Sequence, residues 1–321
     1  SRQLWRLSIA SPLGSPKSGA PIAKQIEDAS TRFRHPEGVP RRQEARPFKR
    51  WQGERRLDTF LIDTSYTSLS LIRPTKSSPA ADKMPEYTLY FHSGSASMIP
   101  HWILIELALT HGIDYETEYV SFTAKDQKSE KYLALNPKGV VPTLILHGDN
   151  GAKEIITESA TTALLLAARH PEAHLAPSDP RSFQYAKYLE TVIYLANTVS
   201  PSMRDWFYAD KDSGSSDPTS IETIKAMARK RIGAAWDLLE KQLEGQPYLV
   251  ENIVDGIPQP TAADYMFVIL ARWSRYFEEH ALKWKNLKAL VLRMTEREGW
   301  QVLRENERLY NRDDPTWPDV P

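Results

Sequence analysis

The chain of 321 residues contains no cysteine. Disulfides, thiolate metal centres and cysteine nucleophiles are excluded at once, and a chain without cysteine suits a reducing compartment such as the cytoplasm. Long apolar runs are missing too. The longest, near Ile103 and Ala163, are interrupted by Glu106 and closed by Arg169, well short of the roughly 18 apolar residues of a membrane span, so no membrane partner is expected. Net charge is also absent, since 41 Lys and Arg balance 41 Asp and Glu. That balance hides an asymmetry: residues 1–83 hold 16 basic against 8 acidic residues, which leaves 25 against 33 in the rest. An acidic body argues against nucleic acid as the partner. What is present is ordinary for a globular protein, with 41% hydrophobic and 26% charged residues, and the length suits one large domain or two small ones.

Residues 1–83 are expected to form a disordered basic extension. Prolines and polar breakers recur ("SPLGSPKSGAP", "RPTKSSPAADK"), and the basic clusters Arg41–Arg42, Lys49–Arg50 and Arg55–Arg56 follow no amphipathic period. The chain opens on Ser1, and a regular pattern starts only at Met84, as a gene model extended upstream would. Two other readings stay open. The acid-free start (Arg2, Arg6, Lys17, Lys24, before Glu27) resembles an organelle transit segment, which would move the protein from cytoplasm to organelle. The basic clusters could instead bind anionic surfaces.

From Met84 the periodicity changes. Tyr87–His92 reads as a strand, and Ser97–Thr110 as a helix stopped by Gly112. The helix is apolar almost all round, as in a helix buried on more than one side. Tyr115–Phe122 alternates as a strand, and Ser129–Leu135 is a short helix closed by Asn136 and Pro137. Val141–His147 and Glu154–Thr157 flank a "GDNG" turn, a strong hairpin signal. Ser159–Arg169 is helical. The order is β-α-β-α-β-β-α, which predicts a mixed sheet with helices on its faces over residues 84–171. Residues 172–181 read as a linker, and 182–321 as an all-helical bundle with helices over Phe183–Tyr208, Ile221–Leu243, Ala262–His280 and Leu287–Trp300. Thr261 and Asp264 form a near capping box ahead of the third.

Four stretches stand out on this frame. "NPKGVVPTL" (Asn136–Leu144) puts a proline where a strand should begin. "ITESATTALLLA" steps through Glu158 and Ser159 onto a helix. "PTAADYMFV" carries the capping box, and "GSASMIPHWILIELAL" is a serine-rich turn onto a helix. Together with the domain order they resemble the soluble glutathione transferases, a serine-containing bacterial or fungal type, over Met84 to Trp300. The resemblance implies an N-terminal thioredoxin-like domain followed by an all-helical domain. It implies a homodimer, built on the helix after Ser159 and the next long helix. It implies conjugation of the glutathione thiolate to a small apolar electrophile, with glutathione as co-substrate and no metal. A non-catalytic relative that keeps the fold as a binding or regulatory module is the alternative.

The resemblance also assigns residues. Pro142 would follow a cis bond and leave the Val141 backbone free to pair with the tripeptide, like an added strand. Glu158 and Ser159, at a helix start, would hold the γ-glutamyl end, where free N–H groups and the dipole favour a carboxylate. Lys138 would meet the glycine carboxylate. A thiol with pKa near 8.5 needs roughly 2.7 kcal/mol of preferential thiolate stabilisation to fall by two units. Ser97, at the start of its helix, is the first choice as donor to the thiolate. Ser95, Ser93 and Tyr90 are rivals, and Ala96 stands where some bacterial relatives carry cysteine. His101 reads as packing, and Trp206, Phe207 and Tyr208 either wall a co-substrate pocket or pack in the core.

Overall fold

A computed structural model describes residues 84–148, 150–214, 216–309 and 317. The expected basic arm, 1–83, lies outside the described residues.

The first layer is a four-stranded sheet in the order β2-β1-β3-β4, from β1 (Tyr87–Phe91), β2 (Tyr115–Tyr119), β3 (Thr143–His147) and β4 (Lys153–Thr157). β1 runs parallel to β2 and antiparallel to β3, which pairs with β4 through the expected hairpin. Along β1, Tyr87, Leu89 and Phe91 are buried in the main core, while Tyr90 points to the other face, against Tyr132. The main-core face is covered by α1 (Met98–His111) and α3 (Ser159–Arg169); α2 (Glu130–Leu135) carries Tyr132. α1 is buried continuously from Met98 to Leu107, because α3 packs on one side and the helical layer on the other. This is a thioredoxin-like domain.

The second layer comprises α4 (Phe183–Tyr194), α5 (Ser200–Phe207), α6 (Ala209–Asp212), α7 (Pro218–Gln242), α8 (Ala262–Trp273), α9 (Lys285–Thr295) and α10 (Glu298–Asn306), with a two-stranded ribbon of β5 (Ile253–Val254) and β6 (Ile257–Pro258). α8 is buried from Ala262 to Arg272 and is its axis.

Several boundaries differ from expectation for local reasons. β3 starts at Thr143, not Val141, because Pro142 has no N–H for the ladder. The helix expected over Phe183–Tyr208 breaks into α4, a π-helical turn (Leu195–Val199) and α5, with Pro201 at the first turn of α5. The helix expected over Ala262–His280 ends at Trp273, where the Ser274 hydroxyl donates to Ala271 C=O (2.7 Å) and accepts from Ala281 N–H (3.0 Å). The helix expected over Leu287–Trp300 is two, α9 and α10, parted at Arg297, whose backbone is extended and whose guanidinium is tied to Glu106. The 172–181 connection is tied down: Leu175 is buried and its C=O accepts from Ala262 N–H (2.8 Å), while His174 C=O accepts from Asn252 Nδ2 (2.7 Å).

Candidate functional site

Strand directions gather the assigned residues at one end of the sheet. Tyr90 pairs with Thr143, and Thr143 pairs with Thr157. The turn after β1 (His92–Ser97), the segment before β3 (Val140–Pro142) and the step after β4 (Glu158–Ser159) therefore share that edge. Chain ends of strands and the start of a helix leave unpaired backbone groups, which is where a peptide-like ligand can be held.

The Val141–Pro142 bond is cis, and the β3–β4 ladder begins at Thr143, so Val141 lies outside it. The loop before it is braced from behind. Tyr132 Oη and Asn136 Nδ2 both donate to Val140 C=O (2.8 Å each). Gly139 has φ +62, and a Cβ there would lie 2.9 Å from the backbone carbonyl oxygen of Gln127, which favours glycine.

Glu158 adopts φ +72, ψ 120 immediately before α3, an uncommon conformation for a residue with a side chain. Such outliers persist where the surroundings over-determine them, often at ligand clamps. Its carboxylate is exposed and accepts from Lys138 Nζ (2.7 Å), which also donates to Thr157 Oγ1 (2.9 Å). Lys138, Glu158 and Ser159 thus form one polar corner.

The serine turn is more discriminating. Ser97 is fully buried, accepts from His92 N–H and donates to His92 C=O (both 3.1 Å). It braces the turn from inside and makes no side-chain cap to α1. Ser95 Oγ lies 2.8 Å from Ser97 Oγ and faces the open side. The sequence ranked Ser97 first; the geometry turns Ser97, the residue just before α1, into the core and leaves Ser95, with Ser93, on the cleft side. Tyr90 lies on the far face, edge-on to Tyr132 (5.9 Å between ring centroids), and burial followed by the Glu118 charge pushes its hydroxyl above the usual tyrosine range. It lines no part of the cleft below.

That cleft, about 610 Å³, opens between the serine turn and the helical layer. Its floor is Ser93 to Ala96 with Val140 and Val141; Phe207 and Tyr208 of the sequence-predicted aromatic group wall it. Trp206 is instead packed on Phe277 (4.5 Å between centroids). Lining residues that sequence reading missed include His92, Phe122, Trp273, Arg275 and Tyr276. His92 Nδ1–H donates to Val120 C=O (2.8 Å), and its ring stacks on Phe122 (3.8 Å, 7° between planes). Because a carbonyl can only accept, Nε2 of neutral His92 is left as an acceptor. Its position after the strand, ahead of the serines, was the available signal. Arg204 pairs with Asp212, and Arg275 stacks on Tyr276 (4.0 Å). No side-chain cluster among the described residues could hold a metal ion, and no helix among them is long and apolar enough to cross a membrane.

Residues 100–169 match the glutathione S-transferase N-terminal domain. Glutathione S-transferase 1 of Schizosaccharomyces pombe is 30% identical over 195 residues, 61% of this chain and 77% of its own. The structure of a glutathione transferase from Methylococcus capsulatus superposes with a TM-score of 0.56 at 26% identity, covering 70% of this chain and 99% of that one. A glutathione transferase homologue from Sulfitobacter, solved with bound glutathione, shares the fold with a TM-score of 0.58 at 24% identity over 70% of this chain and 99% of its own. With this fold, the cis-proline turn and a relative matched over most of its length, the chain belongs to the glutathione S-transferase family.

Proposed function

We propose that this protein conjugates the thiolate of glutathione to an electrophilic carbon of a small apolar co-substrate. The observation that carries the reading is the cleft that joins an accessible hydroxyl, Ser95, to an aromatic wall. Backbone groups of Val141 would pair with the cysteinyl unit. The start of α3 with Ser159 and Glu158 would hold the γ-glutamyl carboxylate and ammonium, and Lys138, swung away from the Glu158 carboxylate with which it pairs (2.7 Å), the glycine carboxylate. The tripeptide binding in the Sulfitobacter homologue supports glutathione as co-substrate.

The chemistry follows from this placement. The thiol gives up its proton to solvent, and the Ser95 hydroxyl turns its proton from Ser97 Oγ, which itself donates to His92 C=O, toward the sulfur. The thiolate then forms an S–C bond as the leaving group departs with its electron pair. Holding both reactants in one cleft removes much of the entropic barrier. The protein would work as a homodimer in the cytoplasm, where glutathione is kept reduced.

Ser95→Ala tests the reading. A hydrogen bond to a charged group is worth about 1.5–3 kcal/mol, so turnover at neutral pH should fall about tenfold to a hundredfold and recover in part at high pH. Titration of the ultraviolet absorbance of bound thiolate should show a raised pKa. If Ser97→Ala moves that titration and Ser95→Ala does not, the hydroxyl is misassigned. A wild-type protein that binds glutathione without lowering its thiol pKa would be the binding-module relative instead.

A further inference from the structure

Gly94 lies in the serine turn, next to Ser95. It has φ +78, where a residue with a Cβ is strained, and a glycine peptide there rotates readily. Yet both of its backbone polar groups are held, and by the helical layer. Its N–H donates to Glu307 Oε2 (2.9 Å), and its C=O accepts from Trp273 Nε1–H (3.0 Å). The partners lie 213 and 179 residues further along the chain.

Glu307 is itself fixed from a second side. Its Oε1 bonds His101 Nδ1 (2.9 Å), and the two side chains are 0% and 1% exposed. One water-excluded carboxylate just past the end of α10 thus ties α1 to the turn that α1 follows. The residue next to Gly94 is Ser95, whose Oγ lies 2.8 Å from Ser97 Oγ. Rotation of the Gly94 peptide would swing Ser95 away from the cleft. Trp273 adds to this, since it holds the carbonyl and lines the cleft with its ring.

We infer that Glu307, with Trp273 opposite it, is a positioning residue: it locks the Gly94 peptide so that Ser95 meets the sulfur. The inference rests on the transferase reading above. A purely structural role, docking α10, would leave the chemistry of the thiol unchanged in any variant that folds. A purely electrostatic role has the opposite sign to positioning. A carboxylate near a thiol opposes its ionisation, so removing the charge alone would lower the thiol pKa, whereas loss of positioning raises it.

The full chain carrying Glu307→Asp, Glu307→Gln or Glu307→Ala separates these roles. Aspartate keeps the charge but is one methylene too short to bridge Gly94 and His101. Glutamine keeps an acceptor and loses the charge. For the aspartate and alanine variants we expect faster amide exchange in segment 92–97, a raised pKa of bound glutathione, and a kcat lower by about tenfold to a hundredfold, with KM for glutathione little changed. Glutamine should retain most of the exchange protection and activity. Trp273→Phe, which keeps the ring and deletes the donor, should loosen the same segment and serves if the Glu307 variants do not fold. Unchanged exchange at 92–97 in folded variants overturns the clamp, as does a lowered thiol pKa or an unchanged kcat. If wild type shows no depressed thiol pKa, the transferase reading fails, and amide exchange still decides whether Glu307 holds the turn.

Discussion

Glu106 is a carboxylate buried among rings, and its partners show what single residues contribute here. Trp102 Nε1–H donates to it (3.1 Å), and Arg297 grips it with two bonds (2.9 and 2.8 Å). The Arg297 guanidinium also lies 5.9 Å from the Tyr265 ring centroid. Gly299 follows because a Cβ there would sit 2.5 Å from Glu106 Oε1. Removing one partner of such a pair strands a buried charge, at roughly 3–5 kcal/mol. The Arg297 side chain is 31% exposed against 8% for Glu106, which places the loss at the lower end. Arg297→Met should therefore lower unfolding stability by about 3 kcal/mol, read by denaturant titration, while thiolate titration of the folded protein stays as in wild type. In the sequence Glu106 is legible only as a break in an apolar run. Its partner is 191 residues away, and nothing in local periodicity encodes such a pairing. The same holds for His101, which reads as packing on spacing alone and turns out to bond the carboxylate that holds the turn.

At the level of elements, local signals and tertiary override divide cleanly. The Thr261–Asp264 capping box was legible because both partners lie within one turn, and it is present at the start of α8. Asp264 does more than cap: it also accepts from Leu249 N–H (2.8 Å), so the preceding loop is pinned to the helix start. By contrast, α4 and α5 read as one helix, because the extra residue of the π-helical turn leaves no compositional trace. The serine turn falls between these cases. Its residue types were visible, but which hydroxyl faces out depends on how α1 is seated. Asp264 supplies a pH test. Complete burial pushes its carboxyl from 3.8 up to about 6, against the pull of its backbone and hydroxyl donors. With the folded value above the unfolded one, folding takes up a proton between about pH 4 and 6. The stabilisation from this group is complete below the unfolded value and lost as pH rises through the folded one. Asp264→Asn cannot titrate and turns an amide N–H toward donors. The melting-temperature gap between wild type and variant should therefore narrow from pH 4 to pH 6.5. A gap that widens instead would mean that the donors hold the carboxylate ionised.

At the scale of the molecule, the order of strands and helices was readable because each element carries its own period. How the layers meet was not, since the cleft and the Gly94 clamp join residues far apart in the chain. The same limit applies to association with a second copy, where the surface of the structure gives a starting point. β4 is an edge of the sheet, with Ile155 40% exposed. On α4, Leu189 and Ile193 are 38% and 46% exposed and stand one helical turn apart, while Tyr188, Thr191 and Val192 face the core. A helix with an apolar pair beside its buried face has surface left to cover, and a symmetric dimer would set that patch against its own copy. Leu189→Glu with Ile193→Glu would bring four carboxylates together across such an axis, enough to shift the equilibrium to monomer. Sedimentation velocity at micromolar concentration should show a dimer for wild type and a monomer for the double variant, with circular dichroism unchanged. A wild type that sediments as a monomer removes the dimer. A double variant that stays dimeric moves the interface elsewhere, to the edge of β4 and the α3 surface beside it.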